Sequence, residues 1–115
     1  YLEKADKLDV FFMNAGIGAA GVNDDGSLPL SVDGIEKMFA TNIVGHHLMY
    51  RWLEPLMSKS KQSRIVLTSS AASFNGETKD CKIETTDLNA LNSEQLKGTR
   101  CLYARTKLGR ECTLL

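Results

Sequence analysis

The chain contains 115 residues, of which 43% are apolar and 24% are charged, and its fourteen basic side chains balance fourteen acidic ones. This composition is typical of a globular domain and disfavours a disordered tail, a collagen-like repeat or a coiled coil. Because the net charge is zero, the chain has no overall electrostatic attraction for nucleic acid or for an anionic lipid surface. Nucleic-acid binding is therefore not expected.

The cysteines and the apolar runs indicate the compartment. Cys81, Cys101 and Cys112 are odd in number and form no C-x-x-C pair, so neither a disulfide framework nor a metal site is expected. No apolar run approaches the roughly 20 residues of a membrane span, and no signal peptide is recognisable. These features predict a soluble protein of the cytoplasm with reduced thiols.

Two short apolar runs, residues 8–13 and 64–68, predict the β-strands. The first is followed at once by Asn14-Ala15-Gly16 and the second by Ser69-Ser70, which are small or polar residues typical of a turn. Strands that are apolar at consecutive positions suit a parallel sheet that is covered on both faces.

A long helical pattern, from about residue 31 to about residue 59, lies between the two strands. Ser31 is predicted to cap it, and Pro55 is expected to end or kink it. Strand, helix and strand then form one βαβ unit with a right-handed crossover.

The remainder of the chain contains a polar segment and a second helix. Residues 74–97 are rich in turn-forming residues, with Asn75-Gly76 as the sharpest turn signal. The second helix is predicted to begin near residue 98 and to run to the C-terminus. Because two strands and two helices form a thin sheet with two open edges, we expect the chain to be an internal piece of a larger α/β protein or a truncated product.

A glycine motif directly after the first strand matches the pattern G-x-G-x-x-G at Gly16, Gly18 and Gly21. In a dinucleotide-binding loop this motif opens a helix whose N-terminus receives the pyrophosphate. Here it is followed by a turn that carries Asp24 and Asp25, whose carboxylates would repel phosphate. The motif is therefore not predicted to be the phosphate loop.

The second helix carries Tyr103 and Lys107 in a Y-x-x-x-K pattern. Residues four apart share one face of a helix, so the phenol and the ammonium lie one turn apart. A nearby cation favours the phenolate form of a tyrosine, which makes it a better acid/base near neutral pH. Alone, such a pair would more often be an ordinary surface pair.

Other polar residues accompany this pair. Asn14-Ala15-Gly16 and Ser69-Ser70 end the two strands at one edge of the predicted sheet, and Asn42 is a polar residue on the apolar face of the long helix. In this order, and with the strand–helix–strand pattern between them, the motifs resemble those of the short-chain dehydrogenase/reductase family. The resemblance covers nearly the whole chain.

The resemblance implies the fold and the domain. It implies an α/β protein with a Rossmann-type, doubly wound parallel sheet in three αβα layers. Residues 1–115 would form the central, catalytic part of a single NAD(P)-binding domain, incomplete at both ends, because the glycine-rich phosphate loop of the family has no counterpart in this sequence.

The resemblance also implies a role for each matching residue. Tyr103 would be the general acid/base, and Lys107 would lower its pKa and hold the ribose of the cofactor. Ser70 would polarise the substrate oxygen, with Ser69 as the alternative if the alignment shifts by one residue. Asn42 would anchor a water for proton relay. The cofactor-binding residues would be Asn14, Ala15, Gly16, Tyr103 and Lys107.

These roles imply an oxidoreductase that transfers a hydride between NAD(P)(H) and an alcohol or carbonyl substrate. NADP is slightly favoured over NAD, although the residue that separates them has no counterpart in the chain. The long segment between Ser70 and Tyr103 resembles that of retinol-dehydrogenase-like members, which implies a lipophilic substrate. A homo-oligomer is expected for the full-length protein. The alternative is a catalytically inactive fragment or an interaction module derived from the same family.

Overall fold

The computed structural model describes residues 4–18, 23–75 and 102–107. These residues form two strands and a series of helical segments. In chain order they are strand β1 (Val10–Met13), helix α1 (Lys37–Phe39), a π-helical turn (Ala40–Val44), helix α2 (Gly45–Met57), strand β2 (Arg64–Leu67), helix α3 (Ala72–Asn75) and helix α4 (residues 102–107).

The two strands form a parallel sheet, as predicted. Val10 pairs with Arg64 and Met13 with Leu67. The N–H of Thr68 donates to the carbonyl of Met13 at 3.3 Å just beyond the last pair, so both strands end at the same edge. The loop after β1 and the serines after β2 therefore start side by side, which confirms the strand–helix–strand unit.

One face of the sheet forms the main core. Phe11 and Met13 are buried against Met57 of α2, with Leu53 and Ile65 packed beside them. The side chains that alternate with these point to the other face. That face is exposed at Val10, at Phe12 (64% exposed) and at Val66. The sequence predicts cover on both faces, whereas in the described residues helix α2 covers only one.

The long helix begins later than the sequence predicts, and Ser31 does not cap it. Gly34 has a φ of 74°, which interrupts a right-handed helix, and Ser31 lies in the preceding turn, where its Oγ accepts the N–H of Ile35 at 3.3 Å. The cap is Glu36, whose carboxylate accepts the N–H groups of Met38 and Phe39 at 2.8 and 2.7 Å. Because Glu36 fixes the first free N–H groups, the helix starts at Lys37.

The other end of the long helix agrees with the sequence. Pro55 lies in the last turn of α2, and the helix ends two residues later at Met57. The N–H of Ser58 closes it by donating to the carbonyl of Glu54 at 2.9 Å. The π-helical turn at Ala40–Val44 was not predicted; it widens the helix by one residue where Asn42 lies.

The remaining segments agree with the sequence in part. Helix α4 falls within the predicted second helix. Helix α3 was not predicted. It includes Asn75, the first residue of the turn that the sequence predicts at Asn75-Gly76. The rest of the predicted polar segment lies in residues 76–101, which are outside the described residues. Gly21, the last residue of the glycine motif, also lies outside the described residues. Beyond the motif the chain forms a turn, in which the N–H of Asn23 donates to the carbonyl of Ser27 at 2.9 Å.

Candidate active site

Asn42 is the fully buried centre of a polar cluster beneath the carboxyl edge of the sheet. Its Oδ1 accepts the N–H of Ile17 at 2.8 Å, and its Nδ2 donates to the carbonyl of Ile17 at 3.0 Å. The amide thus pairs with the backbone of Ile17 much as a neighbouring strand would. This pairing joins the π-helical turn to the loop that follows β1.

A third bond joins Asn42 to helix α4. Its Nδ2 also donates to Oγ1 of Thr106 at 3.0 Å, and that hydroxyl in turn donates to the carbonyl of Tyr103 at 2.8 Å. Apolar contacts support the same junction, since Leu102 packs on Met38 of α1 with Tyr103 beside them. Helix α4 is therefore held against the long helix by both polar and apolar contacts.

Lys107 carries a nearly buried ammonium group, although it is a residue type that is almost always exposed. Its Nζ donates to the carbonyl of Thr68, the first residue after β2, at 3.2 Å. The same Nζ lies 5.4 Å from the ring centroid of Tyr103, within the range of a cation–π contact. The Y-x-x-x-K pair is thus not an ordinary surface pair.

Gly16 leaves the space in which these groups meet. An ideal Cβ at this position would lie 3.1 Å from Oδ1 of Asn42 and 3.8 Å from Nζ of Lys107. A larger residue would push the amide away. Asn14, Ala15 and Gly16 are themselves exposed, so this strip of small residues is open to the surface beside the buried ammonium.

The two serines after β2 make different contacts. Oγ of Ser69 donates a long bond of 3.5 Å to the carbonyl of Lys107. Oγ of Ser70 accepts the N–H of Ala72 at 3.3 Å, and the carbonyl of Ser70 accepts Oγ of Ser73 at 2.7 Å. Ser70 therefore lies just before helix α3 and bonds to its first turn, and because its hydroxyl is an acceptor there, the same group retains a proton to donate.

Gly16, Asn42, Tyr103 and Lys107 are brought together by these contacts, whereas the observed bonds of Ser70 are with α3. Two buried residues that sequence reasoning left without a role also belong to the cluster. Thr106 bonds to Asn42, and Nδ1 of His46 lies 3.1 Å from the carbonyl of Asn42. Both could have been found as polar residues at helical spacing from the motif residues, three after Tyr103 and four after Asn42.

One further charged side chain lies on α4 beside Tyr103 and Lys107. Arg105 is half-buried on α4, and burial lowers the pKa of its guanidinium, which nevertheless stays protonated at neutral pH. Within residues 4–18, 23–75 and 102–107, no group of three side chains is placed to hold a metal ion.

The cluster contains groups that could contact the ribose end of a dinucleotide. The Lys107 ammonium offers three donors, of which one goes to Thr68. Residues 14–16 are exposed next to it. Lys107, Tyr103 and the backbone of residues 14–16 could hold a nucleotide there, with the phenol as a proton donor or acceptor.

The model of one protein family matches residues 1–81, and its description is short chain dehydrogenase. Retinol dehydrogenase 14 of Mus musculus is 33% identical over 107 residues, which are 93% of this chain and 28% of that protein. The human protein of the same name is 34% identical over the same share of each chain. Short-chain dehydrogenase/reductase prx1 of Penicillium rubens is 39% identical over 75 residues, 62% of this chain and 20% of its own length.

No solved structure matches the chain, and no helix of the described part is both long and apolar enough to cross a bilayer. The chain spans between a fifth and a third of the length of the curated relatives that it matches. The family match covers more than half of its residues, and the relatives cover nearly all of them. The chain therefore belongs to the short-chain dehydrogenase family of oxidoreductases.

Proposed function

We propose that residues 1–115 form the central, catalytic part of an NAD(P)-dependent oxidoreductase that interconverts an alcohol and a carbonyl compound. The observation that carries this proposal is the nearly buried ammonium of Lys107 beside the ring of Tyr103. Burying an ammonium is costly, and it is typical of a site in which the charge has a chemical task.

Tyr103 is the acid/base in this proposal. In carbonyl reduction its hydroxyl donates a proton to the substrate oxygen, and in alcohol oxidation its phenolate accepts one. The ammonium of Lys107, 5.4 Å from the centre of the Tyr103 ring, supplies the positive charge beside this residue. One N–H of this ammonium is directed at the carbonyl of Thr68. The other two would donate to the ribose hydroxyls.

Ser70 and Asn42 complete the site. The hydroxyl proton of Ser70, which its bond from Ala72 leaves available, is donated to the substrate oxygen and stabilises negative charge there. Asn42 holds the loop of Gly16 and Ile17 in place and anchors a water that connects Lys107 to solvent.

The nucleotide supplies or takes up the hydride when it is bound. The small residues 14–16 and Lys107 fit its ribose end, and NADP is the slightly preferred form. A lipophilic alcohol or aldehyde is the proposed substrate, since two relatives carry retinol in their names.

The proposal is tested by replacing Tyr103 with phenylalanine in the full-length protein. The change removes the proton-transferring hydroxyl and preserves the ring, so turnover should fall by about 10²- to 10⁴-fold. The measurement is the absorbance of the reduced nicotinamide with NAD or NADP and a panel of lipophilic alcohols and aldehydes.

Tyr50→Phe is the matched control, because Tyr50 packs on the sheet core through α2 and should retain turnover. Full activity in Tyr103→Phe would refute the assignment. A folded wild-type protein without turnover on either nucleotide would favour the inactive fragment or interaction module instead.

A further inference from the structure

We propose that Thr106 is a positioning residue of this site, one that sets the orientation of the Asn42 amide and the placement of Tyr103 and Lys107 on α4. The inference rests on the proposed function and extends it to a residue outside the four proposed catalytic groups. It is carried by the two hydrogen bonds of a fully buried hydroxyl.

The directions of those two bonds are determined by chemistry. A threonine hydroxyl has one proton, and in Thr106 that proton is donated to the carbonyl of Tyr103 at 2.8 Å. Its oxygen can then only accept from Asn42, whose Nδ2 lies 3.0 Å away. Thr106 therefore presents an acceptor to the Asn42 amide.

This acceptor fixes which way the amide of Asn42 points. Nδ2 faces two acceptors, the hydroxyl of Thr106 and the carbonyl of Ile17, while Oδ1 faces the N–H of Ile17. A rotation of the amide by half a turn would place Oδ1 against the carbonyl of Ile17 and Nδ2 against its N–H, and Thr106 could donate to Oδ1 only by giving up its bond to the carbonyl of Tyr103. Such unmatched buried groups are costly, so Thr106 and Ile17 together hold a single orientation.

The same hydroxyl fixes helix α4 relative to the site. It joins the carbonyl of Tyr103 to the side chain of Asn42, so one turn of α4 is tied to the π-helical turn. Lys107 follows Thr106 directly, and its Nζ must reach the carbonyl of Thr68 at 3.2 Å and pass close to Gly16. A small shift or rotation of α4 would move the ammonium and the phenol together, and misplacement of reacting groups is costly to rate.

The test compares Thr106→Val with Thr106→Ser in the full-length protein. Valine keeps the volume and removes the hydroxyl, so kcat should fall about tenfold, the equivalent of one lost hydrogen bond in the transition state. The KM for the alcohol should change by less than about twofold, because Thr106 is not proposed to touch the substrate. Serine restores the hydroxyl and should return kcat to within about twofold of the wild type.

Thr41→Val is the matched control. Thr41 neighbours Asn42 in the same π-helical turn, and its hydroxyl also donates to a helix carbonyl, that of Lys37 at 2.8 Å, but its side chain is exposed. This variant should retain the wild-type kcat. A loss in Thr41→Val equal to that in Thr106→Val would mean that any lost helix hydroxyl has this effect, and it would overturn the inference.

A double variant tests the connection to Asn42. If Thr106 acts through the amide, Thr106→Val in an Asn42→Ala background should lower kcat by less than about twofold further, because the bond is already gone. A further tenfold loss would overturn the inference. If circular dichroism shows that Thr106→Val is unfolded, Thr106→Ala replaces it with the same expectations. In either case, a Thr106→Ser protein that is folded but has lost about tenfold in kcat overturns the inference.

Tyr103→Phe in the same assay distinguishes the two proposals. Unchanged turnover in that variant refutes the proposed function itself. A large loss in Tyr103→Phe together with unchanged kcat in Thr106→Val refutes only the role of Thr106.

Discussion

Gly16 shows how one missing side chain shapes the candidate site. Replacing Gly16 with alanine would place a methyl group 3.1 Å from Oδ1 of Asn42, which is too close for an unmoved amide. We expect Gly16→Ala to lower the free energy of unfolding by about 1–3 kcal/mol and to reduce turnover, since the displaced amide is bonded to both Ile17 and Thr106. Urea unfolding and steady-state kinetics measure the two effects.

Gly18→Ala is the control for that change, because a Cβ at Gly18 meets nothing within 4 Å. It should be neutral or slightly stabilising, since alanine restricts the unfolded chain more than glycine does. Equal losses in the two variants would mean that general loop stiffness, rather than the approach of Gly16 to Asn42, is responsible.

The sequence identified several residues of the cluster because each is unusual in its setting. Asn42 is an amide on an apolar helix face, and Lys107 follows Tyr103 by one helical turn. Thr106 was missed because a threonine inside a helix is ambiguous: its hydroxyl can bond to its own helix or point to solvent. Only the position of α4 against the π-helical turn, a long-range contact, gives that hydroxyl its partner.

At the start of α1, Glu36 stabilises the long helix through two backbone bonds from a fully buried position. We expect Glu36→Ala to lower the free energy of unfolding by about 1–2 kcal/mol, because it leaves N–H groups of the first turn unsatisfied. Chemical denaturation followed by circular dichroism measures the change.

Ser31→Ala compares the cap that the sequence predicts with the one that the structure contains. The hydroxyl of Ser31 accepts two long bonds of 3.3 Å within the preceding turn, so its loss should cost less than about 0.5 kcal/mol. A larger loss in Ser31→Ala than in Glu36→Ala would restore Ser31 as the cap and contradict the helix start at Lys37.

The elements differ in how well the sequence predicted them. Both strands were predicted because a short apolar run followed by small or polar residues is a local signal. The helix start was misplaced because the helical spacing of the pattern includes Ile35, whereas the φ of Gly34 keeps residues 31–36 out of the helix. The π-helical turn was not found because three- and four-residue spacings are also compatible with a regular helix.

At the scale of the whole molecule, α2 carries an exposed apolar surface. Leu48, Met49 and Trp52 are all exposed. Because Trp52 follows Met49 by three residues and Leu48 by four, they form an apolar ridge on one side of the helix. If the full-length protein is a homo-oligomer, as the sequence resemblance implies, and this ridge is its interface, Trp52→Glu should shift it towards monomers by placing a charge in the interface. Sedimentation velocity measures the shift.

Lys59→Glu is the control for Trp52→Glu, because it adds the same side chain at an exposed site just beyond α2 and should leave the assembly unchanged. An oligomer that survives Trp52→Glu intact would exclude this ridge as the interface, and a monomeric wild-type protein would refute the oligomer itself.

The fold class was predictable because the strand–helix–strand pattern has few arrangements, and the family match confirms a Rossmann-like α/β fold. The exposed sheet face was not predictable from the runs alone. Val10, Phe12 and Val66 are as apolar as residues of a covered strand, but all three are exposed. The apolar runs predict a sheet that is covered on both faces, whereas within the described residues helix α2 covers one face.

The widened turn at Ala40–Val44 has a consequence for comparing this protein with its relatives. A π-helical turn contains one residue more than the α-helical turn that it replaces. A homologue with a regular α-helix would therefore be one residue shorter in this stretch, while the later side chains of the helix would face the same way as in this protein. A single-position gap in an alignment near Asn42 would then record a change of helix geometry rather than an error. Homologues of the same length in this stretch are thus expected to keep the π-helical turn around the amide of Asn42.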